Sequence, residues 1–134
     1  MVEWTEENVP ASTTPSMLEI GSGNGTLLFA LVDAGYLADK MYGIDYSHDA
    51  VKLSQAIATT RNAEAVKFLQ SDFLTETPPL SDAGGCDLLL DKGTYDAIAL
   101  GSKDSEGRSP AAAYPKRASN ALKVGGYFLI TCAH

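Results

Sequence analysis

A doubly wound α/β fold built on a mostly parallel sheet is predicted by three observations. Five short runs, residues 17–20, 40–44, 66–70, 86–90 and 127–131, have strand length and are continuously apolar rather than alternating. That is the pattern of strands covered on both faces. Helical patterns separate them, and strands alternating with helices are joined by right-handed crossovers into parallel sheets. The polar landmarks, a glycine-rich turn and a series of aspartates, each directly follow an apolar run. The carboxyl ends of the strands are where ligands of such sheets bind.

Residues 1–16 are polar, with Pro10, Pro15 and a Ser/Thr cluster, and read as an irregular arm with Trp4 as its anchor. The domain proper is expected over 17–134. After the first strand, residues 26–34 place Leu27, Leu28, Leu31 and Val32 at helical spacing, and Gly35 stops the helix. Ser47 or His48 starts the next helix, with Asp49 in its first turn and Val51, Leu53, Ile57 and Ala58 as its apolar face. Thr94 is expected to cap a short helix over 95–100. A last helix is predicted over 110–123, kinked at Pro115 or starting there, before Gly125-Gly126. The Gly- and Ser-rich stretch 101–109 reads as a mobile loop.

With 134 residues and 45% hydrophobic content, the chain is one ordinary globular domain. A net charge of −7 offers no basic stripe for a nucleic-acid backbone. The acidic balance suits either a solvated surface or a cationic partner. Cys86 and Cys132 lie in apolar runs without Cys-x-x-Cys spacing, so they read as reduced core residues, and no metal site is predicted. No signal pattern or membrane-length run is present, which makes the cytosol the expected compartment.

The turn Gly21-Ser22-Gly23-Asn24-Gly25 ends the first strand and opens a helix. Missing side chains let backbone approach a ligand closely, and a helix N-terminus offers free N–H groups. Such a turn also forms without any ligand. Asp45 ends the second strand and can accept both ribose hydroxyls of an adenosine-type cofactor, or cap a helix, although Ser47 and His48 already suit that task. Asp72, after the third strand, can accept from an adenine amino group or serve as a loop residue, while Phe73 or Tyr46 packs on the ring. The dinucleotide fingerprint wants glycine where Thr26 stands. Glu19 would repel a pyrophosphate but suits a sulfonium and an ammonium. These two features favour S-adenosylmethionine over a dinucleotide.

The segments Leu18-Glu19-Ile20-Gly21-Ser22-Gly23-Asn24-Gly25, Gly43-Ile44-Asp45-Tyr46-Ser47 and Ser71-Asp72-Phe73-Leu74 resemble the seven-β-strand S-adenosylmethionine-dependent methyltransferases. Asp91-Lys92-Gly93-Thr94-Tyr95-Asp96-Ala97-Ile98 looks like the group of protein-lysine methyltransferases that modify translation elongation factor 1-alpha. The stretch 122–131 is similar to that group's fifth strand. The resemblance implies strand order 3-2-1-4-5. It implies cofactor contacts at Glu19, Gly21, Gly23, Asn24 and Gly25, then at Asp45, Tyr46, Asp72, Phe73 and Asp91 along the next strand ends. It also implies an active-site role for Asp91. The Asn/Asp-Pro-Pro-Tyr motif of nucleic-acid amino-methylating enzymes is absent.

A lysine nucleophile must arrive neutral, against a free pKa of about 10.4. Asp91, at the end of the fourth strand, is the expected acceptor orienting that amine, its alternative being a cap on the Thr94 helix. Lys92 is expected to face solvent. The recognised fold continues beyond its fifth strand into a helix and a hairpin, whereas this sequence stops at His134. The cofactor half is thus expected to be present and the substrate half incomplete. The alternatives to a lysine methyltransferase are a non-catalytic cofactor-binding module and a small-molecule methyltransferase. The uncovered fifth strand is expected to pair with a second chain, or to leave the isolated chain poorly soluble despite its net charge.

Overall fold

β1 (Met17–Ile20) is buried at all of its residues and forms the centre of the sheet. In the computed structural model, which describes residues 1–101 and 106–131, four further strands flank it. These are β2 (Met41–Asp45), β3 (Lys67–Gln70), β4 (Cys86–Lys92) and β5 (Leu122–Thr131). The order is β3-β2-β1-β4-β5 and every pairing is parallel, as the sequence implies. Met17 aligns with Met41 on one side and Leu88 on the other, so the central strands are aliphatic on both faces.

Alternation sorts these residues into two cores. One face carries Met17, Met41, Phe68, Leu88 and Leu90, covered by α2 (Thr26–Asp33) and α3 (His48–Thr60). The other carries Leu18, Ile20, Ile44 and Leu89, covered by α4 (Thr94–Ala99) and α5 (Tyr114–Ala121). Gly35 ends α2 as expected, with φ at +101°. Ser47 caps α3 by accepting from the Ala50 N–H at 3.2 Å.

Three expectations are corrected. The arm is not irregular throughout: Val2–Asn8 is a helix, α1. Its Thr5 is fully buried and donates to the Met1 carbonyl, and Trp4 meets the edge of Tyr127. The arm is latched to the sheet where the Ser16 N–H donates to the Asp87 carboxylate at 2.8 Å. The last helix takes the later of its two expected starts, with Pro115 in its first turn after a 3₁₀ turn at Pro110–Ala113, but it spans Tyr114–Ala121 and so ends short of 123. It stops early because Leu122 pairs at once with Cys86, and the backbone there runs so close to Gly85 that a Cβ on it would overlap. Finally, β5 starts at Leu122 rather than 127, its register jumping from Cys86–Leu122 to Leu88–Tyr127 across Gly125-Gly126.

The Cys86 thiol is buried, free and donates to the Ala121 carbonyl; burial pushes its pKa up to about 12, as suits an inert core thiol. Cys132 and residues 102–105 of the expected loop lie outside the described residues. Among the described residues no helix is long and apolar enough to cross a membrane.

Candidate functional site

The carboxyl ends of β1, β2 and β4 converge on an open cavity of about 800 Å³. Ile20 and Gly21 form its floor, Asp45 and Tyr46 one wall, Asp72 and Phe73 a second, and Lys92 to Thr94 the third.

The glycine turn lies under this cavity, held from two sides. Asp45 reaches across from β2, its Oδ2 accepting from the Gly23 N–H and its Oδ1 from the Ser47 N–H, both at 2.9 Å. A carboxylate has about four acceptor positions, so two backbone donors leave room for ligand hydroxyls. From the start of α4 comes Thr94, whose hydroxyl donates to the Ile20 carbonyl at 3.1 Å. Gly21, at φ +68°, accepts this contact only because it has no side chain, since a Cβ there would overlap the Thr94 hydroxyl. The two segments that stand out in the sequence, 70 residues apart, therefore touch. Gly21→Ala is expected to cost roughly 2 kcal/mol from left-handed strain and displacement of Thr94. Urea unfolding checks this, and an unchanged midpoint would show that Thr94 yields freely.

Glu19 is 3% exposed and its Oε1 has no hydrogen-bond partner. Burial raises its pKa to about 8; Lys92 opposes the rise, whereas Asp91 and Asp45 add to it. The Ser22 hydroxyl, packed on Gly43 of β2, is likewise buried without a partner. Two orphaned oxygens at one turn are an uncommon concentration, since buried polar groups are nearly always satisfied.

The other expected residues divide. Tyr46 is 77% exposed on the rim, free to cover a planar ligand. Phe73 lines the cavity but is largely buried against Tyr114 at 5.4 Å, and its carbonyl accepts from Arg117. Asp72 lies on the wall with Oδ1 accepting from the Leu74 N–H. Asn24 is spent locally: its Oδ1 accepts from the Thr26 N–H and hydroxyl, which starts α2, and it does not line the cavity.

Asp91 sits as the second of its two expected readings, the helix cap, has it. It is fully buried and absent from the cavity wall. Its carboxylate accepts from the Thr94 N–H at 2.7 Å, the Tyr95 N–H at 3.0 Å and the Tyr114 hydroxyl. It is the cap of α4, so the cap is Asp91 rather than Thr94. Lys92, expected in solvent, is exposed but also lines the cavity.

Tyr114 is the residue the sequence did not disclose. It joins Phe73, Tyr95 and Phe128 in an aromatic cluster and fixes Asp91. Its phenol is pushed well above the ordinary range by burial, then by Asp91. No local signal marks it, because its partner lies 23 residues away.

With Asp45 and Asp72 on its walls against Lys92, the site repels a pyrophosphate and receives a cationic, hydroxyl-bearing ligand. An orphaned carboxylate oxygen, a carboxylate with spare acceptor capacity and an exposed ring fit S-adenosylmethionine.

Comparison with known proteins agrees. Residues 12–134 match the family model described as a methyltransferase domain. The chain is 36% identical over 132 residues to EEF1A lysine methyltransferase 2 of Homo sapiens, covering 98% of this chain and 52% of the relative. It is 35% identical to protein-lysine N-methyltransferase efm4 of Schizosaccharomyces pombe, covering 98% and 59%. The chain thus spans a little over half the length of these curated relatives. A putative S-adenosyl-L-methionine-dependent methyltransferase from Methanococcus maripaludis superposes with TM-score 0.74 at 20% identity, over 98% of this chain and 53% of that one. The glycine turn, the sheet order and the match over residues 12–134 place this chain in the methyltransferase domain family.

Proposed function

We propose that this chain is the cofactor-binding part of an S-adenosylmethionine-dependent protein-lysine methyltransferase acting on translation elongation factor 1-alpha. One observation carries the reading above the others. The Asp91-Lys92-Gly93-Thr94 segment, which resembles that group of enzymes, docks through Thr94 onto Gly21. The group-specific loop and the cofactor turn form a single wall, and relatives bearing that activity in their names align with 98% of the chain.

S-adenosylmethionine supplies a methyl group already activated by its sulfonium. The residues of this chain then have positioning and exclusion of water as their tasks, and oriented proximity alone is worth roughly 7–11 kcal/mol. Asp45 accepts the ribose hydroxyls with the lone pairs that Gly23 and Ser47 leave free. Asp72 and Tyr46 bound the adenine side. Lys92 places a positive charge at the cavity, which disfavours the ammonium form of an incoming lysine and so favours the neutral nucleophile. The cytosol, where elongation factor 1-alpha works, is the compartment this reading implies.

Radiolabelled S-adenosylmethionine incubated with elongation factor 1-alpha and the chain is expected to label a lysine of that protein. Cofactor binding without transfer would support the non-catalytic alternative. Asp45→Ala is expected to weaken S-adenosylhomocysteine binding by about 1.5–3 kcal/mol, the range for a hydrogen-bonded charge. Calorimetric titration measures it, and unchanged affinity would remove Asp45 from the ribose.

The second part of the reading is self-association. Among the described residues β5 pairs only with β4 and exposes Val124, Tyr127 and Ile130. An apolar edge of this kind templates pairing with a second copy. Sedimentation at rising concentration is expected to show a dimer or larger species, whereas a monomer throughout would contradict it.

A further inference from the structure

The cavity wall that carries Asp72 and Phe73 is held in place by a residue that does not itself line the cavity. After β3 the chain folds into a tight turn, in which the Asp72 carbonyl accepts from the Thr75 N–H at 3.1 Å and the Glu76 N–H at 2.8 Å. The Glu76 carboxylate accepts from the Asp72 N–H, and Asp72 Oδ1 accepts from the Leu74 N–H, both at 2.9 Å. These bonds close the turn on itself and fix its shape, but not its place on the body of the domain. Arg117 of α5 ties it there. Its Nε–H donates to the Phe73 carbonyl and a terminal N–H donates to the Glu76 carbonyl. The centre of the guanidinium also lies 5.8 Å from the middle of the Phe73 ring. One planar fork thus spans two carbonyls and a ring, a geometry that the single ammonium of a lysine does not reproduce. Arg117 lines a separate, smaller pocket with Thr77 and Pro78.

The same side of α5 carries a second prong. Tyr114, one turn before Arg117, donates to Asp91, and Asp91 in turn accepts from the N–H of the Thr94 that seats on Gly21. Two walls of the cavity are therefore braced from one helix at separate points, the 72–76 turn by Arg117 and the 91–94 segment by Tyr114.

We propose that Arg117 is a positioning residue that fixes the Asp72–Phe73 turn and so makes the site prefer adenine over a 6-oxo purine. Leu74 engages Oδ1 of Asp72, which leaves Oδ2 for the base. An adenine amino group donates to a carboxylate, whereas an oxo group in its place turns lone pairs toward it. A turn free to drift gives up that discrimination while the Asp45 and Gly21 walls stay as they are. The inference rests on the cofactor reading above.

Calorimetric titration with S-adenosylhomocysteine and with S-inosylhomocysteine, in which an oxo group replaces the purine amino group, tests it. The unmodified chain is expected to bind the adenine compound about tenfold more tightly or better, the effect of one hydrogen bond to a charged group. Arg117→Lys keeps the positive charge but not the fork, and is expected to bring that ratio to about twofold or below. Tyr114→Phe is the control. It keeps its ring against Phe73 and loses only the hydroxyl on Asp91, so both affinities fall alike and the ratio stays. An unchanged ratio in Arg117→Lys would overturn the proposal. So would a ratio lost equally in Tyr114→Phe, which would mark a general loosening of α5. Equal binding of the two compounds by the unmodified chain would overturn it together with the role of Asp72. Absence of any saturable heat would overturn the cofactor reading itself, and this inference with it. A second measurement needs no variant. The Arg117 Nε–H resonance of the unmodified chain is expected to shift on saturation with S-adenosylhomocysteine, although Arg117 lies outside the cavity. A resonance unmoved at saturation would equally overturn the proposal.

Discussion

Asp91→Ala is expected to destabilise the chain by about 3–5 kcal/mol, since it leaves three donors unpartnered at about 1–3 kcal/mol each. The side chain is fully buried and accepts from two N–H groups at the start of α4 and from the Tyr114 hydroxyl. Alanine would orphan all three donors in an environment that offers no replacement. Because Thr94 is the residue that seats on Gly21, loosening α4 would also loosen the cofactor turn. Urea denaturation is expected to show a lower midpoint with unchanged slope. Tyr114→Phe, which removes only one of the three donors, its own hydroxyl, should lose less, about 1.5–3 kcal/mol. A loss below about 1 kcal/mol for Asp91→Ala would mean that solvent reaches the site and that Asp91 is not the pin of the loop.

Glu19 dominates the expected pH dependence of stability. Its folded pKa, about 8, lies above the ordinary 4.5, so the folded chain keeps a proton that the unfolded chain has already lost. The unfolded state binds fewer protons throughout that window, and stability therefore falls as pH rises from 4.5 to 8. At 1.36 kcal/mol per unit the loss is on the order of 5 kcal/mol for the cofactor-free chain. Glu19→Gln keeps the shape of the acid without its titration. It should abolish the slope and leave the variant the more stable of the two at pH 8–9. Unfolding free energies at several pH values check this, and parallel curves for the two proteins would contradict it.

The sheet was readable because its strands are buried on both faces: continuous apolar runs such as 86–90 admit few other structures. The glycine turn and Asp45 were readable because strand, turn and helix N-terminus follow each other in sequence, so local spacing carries the geometry. What escaped is tertiary in origin. The helix at Val2–Asn8 is short and polar, and its ordering comes from contacts such as Trp4 with Tyr127 and Ser16 with Asp87. The early end of α5 is set by Leu122 joining β4, not by any residue within the helix. That Asp91 rather than Thr94 caps α4 has the same source. Both types cap helices, and only the packing of Thr94 on Gly21 and of Tyr114 on Asp91 decides which of them does. Glu19 was expected at the cofactor, but the unpartnered state of its Oε1 emerges only once the strands close around it.

The claim on which the rest depends is that the cavity at the ends of β1, β2 and β4 holds the adenosine cofactor. Amide NMR of the chain titrated with S-adenosylhomocysteine tests it most directly. Saturable shifts are expected at Gly21 to Gly25, at Asp45 and Tyr46 and at Ser71 to Phe73, with β5 and the N-terminal helix undisturbed. Shifts confined to other surfaces, or an unchanged spectrum at millimolar ligand, would contradict the assignment.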